Sequence, residues 1–398
     1  MISTVKQLML IALFLNILFA CQTKKKQISK PQAKVEMGVP GDFYPMPQEV
    51  AEQKVKTLPI GATAPNFRLP GVDGRFYTVQ SFEKSSVLMV IFTSNHCPEA
   101  QAYEARIMAL ADDYKDEVQV VAISSNSPRN AQPEMYSISD LGDSFEDMKL
   151  RALDKGYKFP YLYDGDTQSA ALDYGPVATP HVFLFDKSRK LKYQGRLDKD
   201  VHAGKAGDVR AAIDAILLGV EILEPNTSVK GCEILWEWNR TEANALNADW
   251  RAKEVKLNTL GLEGLRILMN HDSNKLWLVN IWASWCPPCR DELPDLIATH
   301  RMFQHRDFEL ITISIDKADR MEKVLEMLKN NHAAVSNFIY ADDLNYDLIS
   351  AIDREWNGTI PYTILVGPDG NISYRSHGAI DLFELRKAIV DHPKMGRK

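Results

Sequence analysis

The stretch NIWASWCPPCRDELP, Asn280 to Pro294, runs from apolar β-type residues through a Cys-Pro-Pro-Cys turn into a helical pattern. A Cys-x-x-Cys pair that opens a helix puts both sulfurs on one turn, within bonding reach of each other. The first thiol, Cys286, then faces the unpaired N–H groups and the positive end of the helix dipole. Such a place stabilises the thiolate and lowers the thiol pKa from about 8.5 into a range of roughly 3.5–7.5, so the sulfur attacks at neutral pH. Pro287 and Pro288 suit the first turn, where a missing N–H forfeits no helical bond. An inert disulfide or half of a zinc site are the bland readings. The chain has one Cys-x-x-Cys and no Cys/His pair at zinc-ribbon spacing, which favours redox chemistry over metal binding.

Working outward, Leu276 to Ala283 reads as a buried strand, Cys286 to Phe303 as a helix, and Phe308 to Ile315 as a second strand. Ile360-Pro361-Tyr362 leads into two hairpin strands, TILVGPDG and NISYRSHG, and Asp381 to Val390 closes with a helix. The first half repeats this order. VIFTSNHCPEAQAYE, Val90 to Glu104, again carries a strand into a Cys-Pro turn and a helix, with Val118 to Ser124 as the next strand and ATPHVFLFD and KLKYQGRLD as the hairpin. The order argues for tandem copies of one α/β unit, each a central mixed sheet flanked by helices. In the first copy Ala100 stands where a second cysteine would complete the motif, so Cys97 is alone on its turn.

The totals narrow the class. At 398 residues, 45% hydrophobic and 25% charged, the chain has the composition of ordinary globular protein and the length for two or three domains. A net charge of -6 offers no basic footprint for nucleic acid. Near the start, Lys6 precedes an apolar run from Leu8 to Ala20, the length of a secretory h-region and short for a bilayer span. Leu18-Phe19-Ala20-Cys21 resembles a bacterial lipoprotein signal, with Cys21 taking the lipid; a plain secretory peptide is the alternative, and either exports the mature chain. Setting Cys21 aside leaves Cys97, Cys232, Cys286 and Cys289, too few to staple so long a chain.

WASWCPPCRDELP closely resembles the TlpA/ResA group of exported, membrane-tethered thioredoxin-like oxidoreductases, and Thr359-Ile360-Pro361 fits that family's cis-proline loop. The resemblance implies Cys286 as nucleophile, Cys289 as resolving thiol, Pro361 as the cis-proline and Glu292 as a carboxylate that tunes the thiols and moves protons. Glu292 has a blander reading, since acidic residues favour the first turns of helices. Asn280, where thioredoxin has a buried aspartate, points to the TlpA/ResA branch. SNHCPEAQAYEARI, GYKFPYLYDGDTQSAALDYG, ATPHVFLFDKSRKLKYQGRLD and VKGCEILW together look like the redoxin family of peroxiredoxin-like, AhpC/TSA-related proteins. That likeness implies Cys97 as the family thiol and Pro180 as a second cis-proline, with Cys232 either resolving Cys97 or an unreactive buried thiol. Ser94 stands at the hydroxyl position of a peroxiredoxin pattern whose proline is here Val90. His96 beside Cys97 makes a poor metal site alone.

The resulting expectation is a signal peptide over 1–20, a tether over 21–57, a redoxin domain over 58–238, a helical linker over 239–256 and a TlpA/ResA-like domain over 257–398. The expected activity is disulfide exchange with protein substrates, supplied by an upstream thiol reductant, on a lipid tether at the periplasmic side of a membrane or the cell surface. No cofactor, metal or nucleic acid is implied. Two alternatives stand beside it. Cys97 is a thiol peroxidase reduced in cis by the second domain, which would give an antioxidant protein, or the first domain is a non-catalytic substrate-binding module.

Overall fold

The computed structural model describes residues 52–396 apart from 203, 271–272 and 343–345. The expectations for the leader, Cys21 and nearly all of the tether lie outside the described residues. Among these residues no helix is long and apolar enough to cross a membrane.

After a short hairpin of β1 (Leu69–Pro70) and β2 (Phe76–Tyr77), the first domain is built on β3 (Val87–Phe92). Every residue of β3 is buried, and alternate side chains enter opposite cores: Val87, Met89 and Ile91 one, Leu88, Val90 and Phe92 the other. A strand buried on both faces needs neighbours on both edges and cover above and below. Its neighbours are β4 (Val118–Ser124), parallel, and β6 (His181–Phe185), antiparallel. β5 (Tyr161–Tyr163) and β7 (Leu191–Gly195) complete a sheet of order β5-β4-β3-β6-β7. Its helices are α1 (Pro98–Asp113), α2 (Phe145–Lys155), α3 (Ser169–Tyr174) and α4 (Gly207–Leu218).

Between the domains lies α5 (Arg240–Arg251). It is not a free linker, because Trp250, 4% exposed, belongs to the second domain's core. The second domain then uses β8 (Asn258–Leu260), α6 (Leu262–Met269), β9 (Leu276–Trp282), α7 (Pro287–Phe303), β10 (Phe308–Ser314), α8 (Met321–Asn330), β11 (Ser336–Tyr340), α9 (Tyr346–Ile352), β12 (Tyr362–Val366), β13 (Ile372–His377) and α10 (Leu382–Asp391). The sheet order is β13-β12-β9-β10-β11-β8. This repeats the first domain's order with one added parallel edge strand, β8. Both domains are thioredoxin-like, as the family resemblances imply, and stand as the tandem copies that the repeated order anticipates.

The two domains touch along one short turn of the first and at the end of its α2. Pro133–Tyr136, a single 3-10 turn, lies along α7, and Tyr136 packs on the second domain's core. Arg301 near the end of α7 grips the Glu134 carboxylate through Nε and Nη2, at 2.6 and 2.9 Å. Arg306 Nη1 donates to the Ser137 carbonyl at 3.2 Å, and Lys387 Nζ to Asp154 Oδ1 at 2.6 Å.

Candidate active site

In the second domain Cys286 is the N-cap of α7, with Pro287 and Pro288 opening the first turn. Cys286 and Cys289 are joined by a disulfide with their Cα atoms 5.3 Å apart. Ser284 just before them is fixed by Asp316, which accepts from its N–H at 2.6 Å and its hydroxyl at 2.7 Å. The Ile360–Pro361 peptide is cis, and the Ile360 carbonyl oxygen lies 3.9 Å from Cys286 Sγ. That loop is held in shape from below. Trp356 Nε1 donates to the Thr359 carbonyl at 2.7 Å, and its ring stacks on Tyr362 at 5.5 Å. Tyr362 in turn donates to Asp353 at 2.6 Å. The sulfurs are nearly covered, Cys286 at 5% and Cys289 at 1% exposure, whereas Trp285 beside them is 53% exposed.

The side-chain period of β9 explains how Glu292 is served. Leu276 and Leu278 point into the core beneath α7 and α10, so Asn280, two residues on, points the same way. Asn280 Nδ2 donates to Glu292 Oε1 and to Thr363 Oγ1, both at 3.0 Å, and the Ile380 N–H donates to Glu292 Oε2 at 3.1 Å. Burial outweighs these bonds and pushes the Glu292 carboxyl up to about 7. Glu292 follows Cys289 by three residues, hence on the same helix face. A buried carboxyl pushed up toward neutrality one helical turn beyond Cys289 is able to take up and return a proton.

The first domain repeats the frame with other groups. Cys97 is the N-cap of α1, Pro98 is its first residue, and the Thr179–Pro180 peptide is cis. Cys97 Sγ donates to the Thr179 carbonyl at 3.0 Å, closer than its counterpart lies to Ile360. Ser94 Oγ lies 3.1 Å from Thr179 Oγ1, in the same buried corner. Cys232 arrives from beyond α4: its N–H donates to the Thr179 carbonyl at 3.2 Å and its carbonyl accepts from the Thr179 N–H at 2.9 Å, an isolated antiparallel bridge. Cys97, Cys232 and Glu99 converge, with one ligand atom of each within 4.8 Å of the others. Both thiols are free. The hydrogen bond from Cys232 lowers the Cys97 pKa, and the same contact raises that of Cys232.

The segment bearing Cys232 is pinned on both sides. Pro225 and Thr227 bond to Gln194 of β7, and the Leu235 carbonyl accepts from Ser127 N–H at 2.8 Å. Glu237, 2% exposed, accepts from Ser127 Oγ and from Arg129 Nε, the latter at 3.0 Å. Gly231 is forced by closeness, since a Cβ there would meet the Thr179 carbonyl oxygen at 1.9 Å.

Around the Cys97 turn lies a buried polar network with no local sequence pattern. Asp143 accepts from Asn95 N–H at 2.6 Å, from Asn126 Nδ2 at 2.8 Å, and pairs with His96 Nδ1. Burial opposes charge on His96, but Asp143 overrides it and raises the imidazole pKa. Arg151, fully buried, reaches the Asn95 carbonyl and Asp140. Sequence reasoning missed Glu99, Asp143 and Arg151, whose partners lie up to 133 residues away. The one cue was a Cys-Pro-Glu order that places an acid at the start of α1. The structure brings Cys97, Cys232, Ser94 and Pro180 together in one centre and Cys286, Cys289, Glu292 and Pro361 around another. It does not bring Cys97 to Cys286.

Two thioredoxin-like domains, each with a helix-capping cysteine against a cis-proline loop, define the class as a tandem redoxin. The chain belongs to the AhpC/TSA family, whose pattern matches residues 60–194 and again 249–375. Over 116 residues it is 34% identical to the thiol:disulfide interchange protein CycY of Rhizobium leguminosarum bv. viciae, covering 29% of this chain and 57% of that one. Over 114 residues it is 23% identical to the thiol-disulfide oxidoreductase ResA of Bacillus subtilis (strain 168), covering 27% of this chain and 56% of that protein. The chain thus spans about half the length of these curated relatives. Among solved structures, an uncharacterized conserved protein from Geobacillus kaustophilus is 35% identical, covering 45% of this chain and 93% of that chain at a TM-score of 0.41.

Proposed function

We propose that the protein is an exported thiol-disulfide oxidoreductase that exchanges disulfides with protein substrates through Cys286 and Cys289. The observation that carries this reading is the cysteine pair capping α7 beside the cis Ile360–Pro361 loop, with Glu292 behind it. In the reducing direction the Cys286 thiolate attacks a substrate disulfide and forms a mixed disulfide. Cys289, losing its proton to Glu292, then attacks Cys286 Sγ; the substrate leaves as a dithiol and the Cys286–Cys289 bond closes. An upstream thiol reductant reopens it.

The backbone of Ile360 is the natural rail for a substrate strand, a sequence-tolerant mode of recognition. The first domain supplies the analogy from its own chain, because Cys232 pairs antiparallel with Thr179, the residue that occupies the same place before Pro180. The leader motif at Leu18 to Cys21 supports export and a lipid anchor at Cys21, on the periplasmic side of a membrane or the cell surface. The CycY and ResA likenesses agree in activity class.

Reduction of insulin by the purified chain, driven by dithiothreitol, tests the activity. The rate should fall to the uncatalysed level in Cys286→Ser and persist in a Cys97→Ser/Cys232→Ser variant. In Cys289→Ser, substrate should accumulate on Cys286 as a mixed disulfide. Unchanged insulin reduction without Cys286 would remove the proposal.

A further inference from the structure

We infer that Cys97, Cys232 and Glu99 form a metal site for a zinc-class divalent cation, with two thiolates and one carboxylate as protein ligands and a fourth position left to water or an outside ligand. This goes beyond the Cys286–Cys289 reading and does not rest on it. Among the described residues, this is the one group of three or more Cys, His, Asp or Glu side chains whose ligand atoms converge, each within 4.8 Å of the others. Glu99 Oε2 lies 3.4 Å from Cys97 Sγ and 3.9 Å from Cys232 Sγ. In a tetrahedral zinc site, with bonds of about 2.3 Å to sulfur and about 2.0–2.2 Å to oxygen, a sulfur and an oxygen ligand stand about 3.6 Å apart. The two observed spacings bracket that value. Paired sulfurs in such a site stand about 3.8 Å apart, inside the 4.8 Å limit seen here.

The charge of the cluster calls for a cation. Two groups that ionise to thiolates meet a carboxylate, and the hydrogen-bond partners of the Glu99 side chain among the described residues are those two sulfurs. Converging anions repel one another until a proton or a metal ion lies between them. Two sulfurs and an oxygen suit zinc, which takes both ligand types, whereas calcium and magnesium are held by oxygen. On binding, each thiol releases its proton to solvent and its sulfur lone pair goes to the ion; nothing is oxidised. Three protein ligands with one open corner make a reactive zinc centre rather than a closed structural one. Cys97 is buried while Cys232 and Glu99 are half-buried, so the open corner meets solvent on their side.

The ligands are held before an ion arrives. Cys97 caps α1, and Glu99 lies in its first turn. Cys232 is fixed by its two backbone bonds to Thr179, at 2.9 and 3.2 Å, and by Gly231, where a Cβ would strike the Thr179 carbonyl. When Cys97 gives up its proton, that carbonyl loses a donor at 3.0 Å and keeps the Cys232 N–H. A site set up in this way has little freedom left to lose on binding.

The test uses the full chain carrying Cys286→Ser and Cys289→Ser, which removes the other dithiol and keeps the two readings separable. Held reduced and oxygen-free by a phosphine, the chain is dialysed against zinc chloride and its metal content measured. One zinc per chain is expected. Adding Cys97→Ser or Cys232→Ser should abolish that stoichiometric binding. Glu99→Gln should weaken it at least about tenfold, a loss seen even for groups that stand behind metal ligands. Cobalt(II) in place of zinc should give thiolate-to-metal charge-transfer absorption and the intense visible bands of a tetrahedral ion, and both should vanish in either serine variant. A reduced chain that retains no zinc would overturn the inference. So would zinc held equally well without Cys97 or without Cys232, or a cobalt spectrum of an octahedral, all-oxygen site.

Discussion

Glu292 shows what a single buried residue adds to the account. A carboxyl whose pKa rises from 4.5 to about 7 on folding binds more proton in the folded than in the unfolded chain over that interval. Stability therefore falls as pH climbs from about 4.5 to 7, by on the order of 3 kcal/mol in all, and the cost persists above that window. Glu292→Gln should remove this dependence, matching the parent near pH 4 and exceeding it in denaturant melts at pH 8. The same change should erase an inflection near pH 7 in the rate at which Cys289 releases a trapped substrate, which a merely structural glutamate would leave in place. The residue was legible through the resemblance of its motif to the TlpA/ResA group. Its proton affinity was not, because that depends on burial under Asn280 and the Ile380 N–H, contributed by distant parts of the chain.

Among the elements, the strands and helices nearest the cysteines were the most readable. The unbroken apolar run Val87–Phe92 and the largely apolar Val118–Ser124 have few alternatives to a doubly covered strand. Short or polar elements escaped: β5 spans three residues, β8 another three, and α9 only seven, too few for a period to declare itself. The Pro225–Trp238 segment escaped for a different reason. It has little regular structure, and its place is set by paired bonds to Gln194 and to Thr179 and by a bond from Ser127. Gly231→Ala tests that placement. The added methyl cannot fit against the Thr179 carbonyl, so the first domain should lose about 1–3 kcal/mol in thermal unfolding. Closure of the Cys97–Cys232 bond should slow in parallel, while insulin reduction by the second domain stays unchanged.

For the whole molecule, duplication was visible in the repeated strand, Cys-Pro turn and hairpin, whereas the docking of the copies was not. The contact engages Arg301, fifteen residues beyond Cys286 and so about 22 Å along α7. On the other side, Tyr136 of the docking turn lies 5.3 Å from the ring of His96, the neighbour of Cys97. The first centre thus lies toward the body of the second domain, and the second centre opens at the far end of α7. While this contact holds, an electron relay inside one molecule would have to cross that length of α7. With the first centre oxidised and the second reduced at the start, transfer between them should be slow and proportional to protein concentration. A rapid rate independent of dilution would contradict the docked arrangement. Arg301→Ala, which leaves the Glu134 carboxylate only the Gln304 amide at 3.4 Å, should loosen the contact and increase proteolytic cutting near Pro133–Tyr136.

The account rests most heavily on the ionised state of the sulfur that caps α7. In the reduced chain carrying Cys97→Ser and Cys232→Ser, the rate of iodoacetamide alkylation at the Cys286 peptide, followed against pH, measures that state directly. Half-maximal reactivity should fall below about pH 7.5, within the range of helix-capping thiols. A midpoint at or above about 8.5, the value of an unassisted cysteine, would contradict it.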